Sequence, residues 1–208
     1  MQIGQKLKEM QLISGQTCID VFNTYFSDIL RIQTSSHAEF IQAMWDRYPQ
    51  GAPATNGNVF EGLLAVAMYR AGISPIYVQA KLAFVPNVDF DFVLYSEEFG
   101  PIVISAKTSL RERYKQADLE GMMLRNVHRR SKSYLLTLDK SAAKIANRKI
   151  GSGEILGLDE VVLADEASFN DLLEMLQRLT YVIPPKIEVI SSQRLIHKAS
   201  HHPQAPSP

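Results

Sequence analysis

Cysteine is almost absent from this chain: Cys18 is the single one among 208 residues. An internal disulfide is therefore excluded, and so is a metal knuckle built on paired thiolates. A small, buried or half-buried side chain is the expected role for Cys18. Long apolar runs are missing too, since no stretch approaches the roughly 18 consecutive apolar residues that span a bilayer. The opening MQIGQKLKEM has no apolar export core. A cytoplasmic protein with no membrane partner is expected. An excess of one charge sign is also lacking, because Lys plus Arg and Asp plus Glu both number 22. The global basicity that announces many nucleic-acid binders is excluded. No internal repeat marks a solenoid. His201 and His202, in the polar, proline-rich 197–208 segment, have no third ligand at fixed spacing, so a disordered tail is expected there.

What is present is 46% hydrophobic content, enough for one globular core, and a strongly uneven charge distribution. Between Lys107 and Lys132, eight basic residues (Lys107, Arg111, Arg113, Lys115, Arg125, Arg129, Arg130, Lys132) face three acidic ones (Glu112, Asp118, Glu120). Such a stripe suits phosphates. Apolar spacing predicts helices over 17–33 and 36–47, and another from Val59 to Ala71 capped by Asn58 after a GAPATNGN loop. From Ser74 the period changes to that of strands: PIYVQAKLAFV, VDFDFVLY and PIVISAK, the last two joined by SEEFG. Ser109 with Glu112 has capping-box spacing and predicts a helix reaching about Arg130. A strand at SYLLTLD, a helix at SAAKIANRKI, a strand at EILGLDEVVLA and a helix at SFNDLLEMLQRL follow. The expected organisation is an N-terminal helical layer over 1–50, a core over 51–196 and the tail.

Chemistry is concentrated where strands end. A hairpin brings the segment around Asp91 beside the one around Lys107, and side chains two apart on a strand share a face. Phosphodiester hydrolysis calls for a divalent cation held by hard oxygen ligands and a positive charge to steady the developing anion. Aspartate and lysine supply these types. By alternation Asp89 shares a strand face with Asp91, and spacing alone leaves both open as the ligand.

Glu61 on a helix, Asp91 on the second strand, Lys107 ending the third and a helix directly after it together resemble the PD-(D/E)xK nucleases. The acid usual two residues before the lysine is here Ser105. This departure resembles one subgroup, the type II restriction endonucleases of the EcoRII, PspGI and NgoMIV kind, with sites built on CCGG, CCNGG or CC(A/T)GG. Their Ser-x-Lys is followed by a relocated carboxylate about thirteen residues on, the position of Glu120 here, and by an Arg-Glu-Arg reading head, here Arg111, Glu112 and Arg113. Arginine's fork matches guanine O6 and N7, and a glutamate accepts from cytosine N4.

The resemblance covers roughly residues 55 to 140. It implies an α/β (α+β) fold with a central mixed sheet flanked by helices, and a Mg²⁺-dependent endodeoxyribonuclease acting on a short C:G-rich palindrome in double-stranded DNA. It implies Asp91, Glu120 and Glu61 as metal ligands, Ser105 and Lys107 as further catalytic residues, and Arg111, Glu112, Arg113 and Lys115 on DNA. A homodimer and a cognate DNA methyltransferase are the implied partners. A repair or mobile-element nuclease and a non-catalytic DNA-binding module are the alternatives.

Overall fold

In the computed structural model, which describes residues 2–184 apart from Pro86 and Glu112, five strands form one mixed sheet. They are β1 (Tyr77–Ala80), β2 (Phe90–Ser96), β3 (Gly100–Lys107), β4 (Lys132–Thr137) and β5 (Glu160–Leu163), side by side in chain order. The first three run antiparallel, and β4 and β5 continue parallel to β3. Connection length explains the switch. Residues 97–99 are enough for a hairpin, closed where the Phe99 amide donates to Ser96 Oγ at 3.1 Å and Gly100 takes a φ of 70°. Parallel neighbours need crossovers, supplied by α5 (Tyr114–Val127) and α6 (Lys140–Gly151).

One sheet face is covered by α1 (Ile3–Glu9), α2 (Gln16–Tyr25), α3 (His37–Arg47), α4 (Pro53–Arg70) and α7 (Ala167–Gln177). Phe22, Phe40, Phe60 and Phe169 from these helices bury completely or nearly so with Phe92, Leu94, Ile102 and Ile104 from the strands. Each such side chain stabilises the fold by about 1.5–3 kcal/mol relative to its exposed state. On the other face, Leu110 joins Ala117, Leu135, Ala143, Ala146 and Val161 in a second cluster. Leu124 of α5 meets Val93 and Val103 in a third. The expectation of a central mixed sheet flanked by helices is met.

Several expected boundaries move, each for a local reason. GAPATNGN is not a loop throughout: α4 starts at Pro53, which suits a first helical position because it has no N–H to leave unpaired. Asn56 rather than Asn58 ties the start, accepting from the Gly51 amide at 2.7 Å and donating to its carbonyl at 3.1 Å. The helix expected from Ser109 begins at Tyr114, with Arg113 at its cap and no side-chain capping bond, so Ser109 does not open it. The helix expected over 17–33 ends at Tyr25, and α1 had not been anticipated. The strands expected over 75–85 and 154–164 shrink to four residues each, because Val85, Ile155 and Leu158 plug core clusters as loop residues. The 197–208 tail lies outside the described residues. Among the described residues no helix is long and apolar enough to cross a membrane.

The seat of α5 is unusually close. A side chain at Gly121 would strike the Gly157 carbonyl, and one at Gly157 would strike the Asp118 carbonyl. Asp118 accepts from the Leu156 and Gly157 amides, and Asp159 accepts from Arg125, Lys132 and the Ser133 amide at 2.8–2.9 Å.

Candidate active site at the end of the third strand

Asp91 is 8% exposed and its carboxylate is fixed from three sides. Oδ2 accepts from the Ala106 amide at 2.7 Å and from Lys107 Nζ at 3.0 Å, and Oδ1 accepts from Gln79 Nε2 at 3.4 Å. The strand register produces this arrangement. Phe92 faces Ile104 in the β2–β3 ladder, so the chain just before Phe92 lies beside the chain just after Ile104. Ser105, 7% exposed, sits within the same strand end. Asp89 is elsewhere: it precedes β2, is exposed, and pairs with Lys81 at 3.6 Å. The shared strand face expected for Asp89 and Asp91 therefore does not form.

Glu61 projects from the middle of α4, and its Oε2 accepts from Gln79 Nε2 at 3.0 Å. Burial, and then the Asp91 carboxylate, push Glu61 up to about 7 against the opposing pull of Lys107 and of the Gln79 bond. Glu120, half-buried on α5, accepts from Gln116 Nε2 at 2.7 Å. Burial raises its pKa, while the Gln116 bond and Lys107 lower it and Asp91 adds to the rise. Glu61, Asp91, Glu120 and Lys107 thus share one electrostatic neighbourhood. Three carboxylates against one ammonium leave that neighbourhood short of positive charge.

Among the described residues no three carboxylate, imidazole or thiol groups stand close enough together to hold one ion. Around Asp91 the hydrogen-bond donors are the Ala106 amide, the Gln79 amide and the Lys107 ammonium, of which Lys107 alone carries charge. The donor set nonetheless fits a hard divalent cation: all oxygen, net negative, with two carboxyls whose charged forms are disfavoured until positive charge arrives.

The segment after Lys107 is a turn held from below. Leu110 is fully buried, and its amide donates to Asp139 Oδ2 at 3.3 Å, the carboxylate that also caps α6. That anchor leaves Arg111 and Arg113 exposed ahead of α5, with Arg111 at a φ of 39°. Glu112 lies outside the described residues, and Lys115 is exposed on the first turn of α5. The basic stripe does not stay whole. In the parallel register Lys107 lies beside Thr137 but Lys132 lies beside Ile102, at the opposite end of the sheet. There Arg125 and Lys132 are taken up by Asp159, and Arg130 donates to the Glu97 carbonyl at 3.4 Å. Only the Lys107 to Lys115 portion accompanies the site.

Comparison with protein-family models and with curated proteins finds no match. Two solved structures are similar. One is a restriction endonuclease PspGI–substrate DNA complex, with 18% identity over 67% of this chain and 56% of that one, at a TM-score of 0.47. The other is metal-depleted Ecl18kI in complex with uncleaved, modified DNA, with 21% identity over 84% of this chain and 58% of that one, at a TM-score of 0.41. This chain thus spans somewhat over half the length of each.

Sequence reasoning missed Gln79. It is neither acidic nor basic and belongs to no motif, so only its position across from Asp91 gives it a part in the site.

Proposed function

We propose that this chain is a type II site-specific deoxyribonuclease that hydrolyses phosphodiester bonds in double-stranded DNA with Mg²⁺ at a short C:G-rich palindrome. The observation that carries the reading is the contact of Lys107 Nζ with Asp91 Oδ2 at 3.0 Å, with Glu61 and Glu120 within the field of both. Asp91, Glu120 and Glu61 would hold the metal, drawing together from their present spacing as it binds. Mg²⁺ bound there supplies polarisation of the phosphoryl oxygen and a water of lowered pKa. Lys107, held by Asp91, orients the attacking water and offsets negative charge as it grows on the phosphoryl oxygens. Ser105 keeps the strand end compact where related motifs carry an acid. Arg111, Glu112 and Arg113 read base edges in the major groove, and Lys115 meets phosphate.

A palindrome favours two copies related by a two-fold axis, each offering one reading head to one half-site. A type II enzyme of this kind acts alongside a cognate methyltransferase that protects its sites. Incubating supercoiled and linear DNA with Mg²⁺ or with EDTA, then sequencing the ends, tests the reading. Discrete fragments with symmetric ends support it. A smear or structure-dependent nicking points to a repair nuclease, and binding without cutting to a non-catalytic module. Lys107→Ala and Glu120→Ala are expected to abolish cutting while specific binding, measured by gel shift in EDTA, largely survives. Cutting at the wild-type rate by either variant rules out the assigned roles.

A further inference from the structure

The Gln79 amide touches both Glu61 and Asp91, at 3.0 and 3.4 Å from the same nitrogen. Its backbone is equally particular. β1 pairs with β2 at Tyr77, Val78 and Ala80, and Gln79, which the same register sets opposite Asp91, takes a φ of 49° within the strand. Left-handed backbone is uncommon for a residue with a Cβ. The side chain is exposed, so core packing does not impose the conformation. What the kink achieves is to turn the amide toward two acids carried by different elements. A cleft of about 1020 Å³ between α4 and β1 is lined by Glu61 and Gln79, so solvent reaches both.

We propose that Gln79 is a positioning residue that holds Glu61 and Asp91 in register for the divalent cation, its N–H groups standing between the two carboxylates where positive charge is wanted. The inference rests on the nuclease reading above. Residues that orient metal ligands typically change affinity or activity by about 10–100-fold when lost. Gln79 does so from a backbone position that Gly or Asn would occupy more comfortably, and this separates orientation from stability.

The test is titration of Mn²⁺ into the full, DNA-free chain by calorimetry, with thermal unfolding and the Mg²⁺ dependence of cleavage alongside. Gln79→Gly deletes the amide and relaxes the backbone. It should bind Mn²⁺ about tenfold more weakly and need about tenfold more Mg²⁺ for half-maximal cutting, with Tm unchanged or raised. Gln79→Asn, which keeps a shortened amide, should recover part of the lost affinity. Mn²⁺ affinity within about twofold of wild type in Gln79→Gly overturns the proposal. So does a loss that parallels a falling Tm, and so does an Asn variant no better than Gly. A wild-type chain that neither binds Mn²⁺ nor cuts DNA instead overturns the nuclease reading, and this inference with it.

Discussion

At Arg113 the backbone is already helical, with a φ of −68° and ψ of −17°, and the guanidinium stands in solvent before the first turn of α5. Among the described residues none holds that side chain by a hydrogen bond or ion pair, so Arg113→Ala should leave stability within about 0.5 kcal/mol. On the proposed function, loss of its bidentate guanine contact should cost discrimination at one C:G pair by about 1–3 kcal/mol. Cleavage of duplexes carrying single base-pair substitutions, measured beside thermal melts, checks both halves; an unchanged substitution profile removes base reading from Arg113. The residues at the site differ in how far they could be read from the sequence. Lys107 and an aspartate at 89 or 91 follow from residue type and spacing, and Glu61 from the resemblance. Asp89 could be separated from Asp91 only once β2 was seen to start at Phe90, leaving Asp89 to Lys81. Gln79 was illegible because its part comes from a kinked backbone, which periodicity does not encode.

Among the elements, α5 carries the greatest weight in the proposed function, because it bears Glu120 and follows the proposed reading head. Its place along its own axis is set by the backbone contact of Gly121 and Gly157 and by Asp118, which grips the 156–157 amides. Gly157→Ala should therefore push the helix away, destabilising the protein by about 1–3 kcal/mol and lowering cleavage more than DNA binding. Melting temperature and single-turnover rate read the two effects, and a wild-type rate in this variant would show that α5 can shift without consequence for Glu120. The element order was legible from apolar period and turn residues. Boundaries were not, where tertiary burial overrides local pattern: Leu110 is drawn into the core and delays the start of α5, and Pro53 begins α4 six residues before the expected Val59.

For the molecule as a whole, the proposed function asks how a symmetric duplex would be met. The outer side of α5, opposite buried Ala117, Gly121 and Leu124, exposes Leu119, Met122 and Met123. On the dimer reading a second copy covers this stripe. The chain should then run at about twice its 23.4 kDa in light scattering, and the double variant Leu119→Lys, Met123→Lys should run as a monomer that nicks instead of severing. A monomeric wild-type protein that makes clean double-strand breaks excludes the arrangement. The outer strands, β1 and β5, are only four residues long, and β1 is kinked at Gln79 by its positive φ. A kinked, abbreviated margin is a poor template for a foreign extended chain. The bend proposed to position Glu61 and Asp91 therefore also discourages fibrous self-association along that margin.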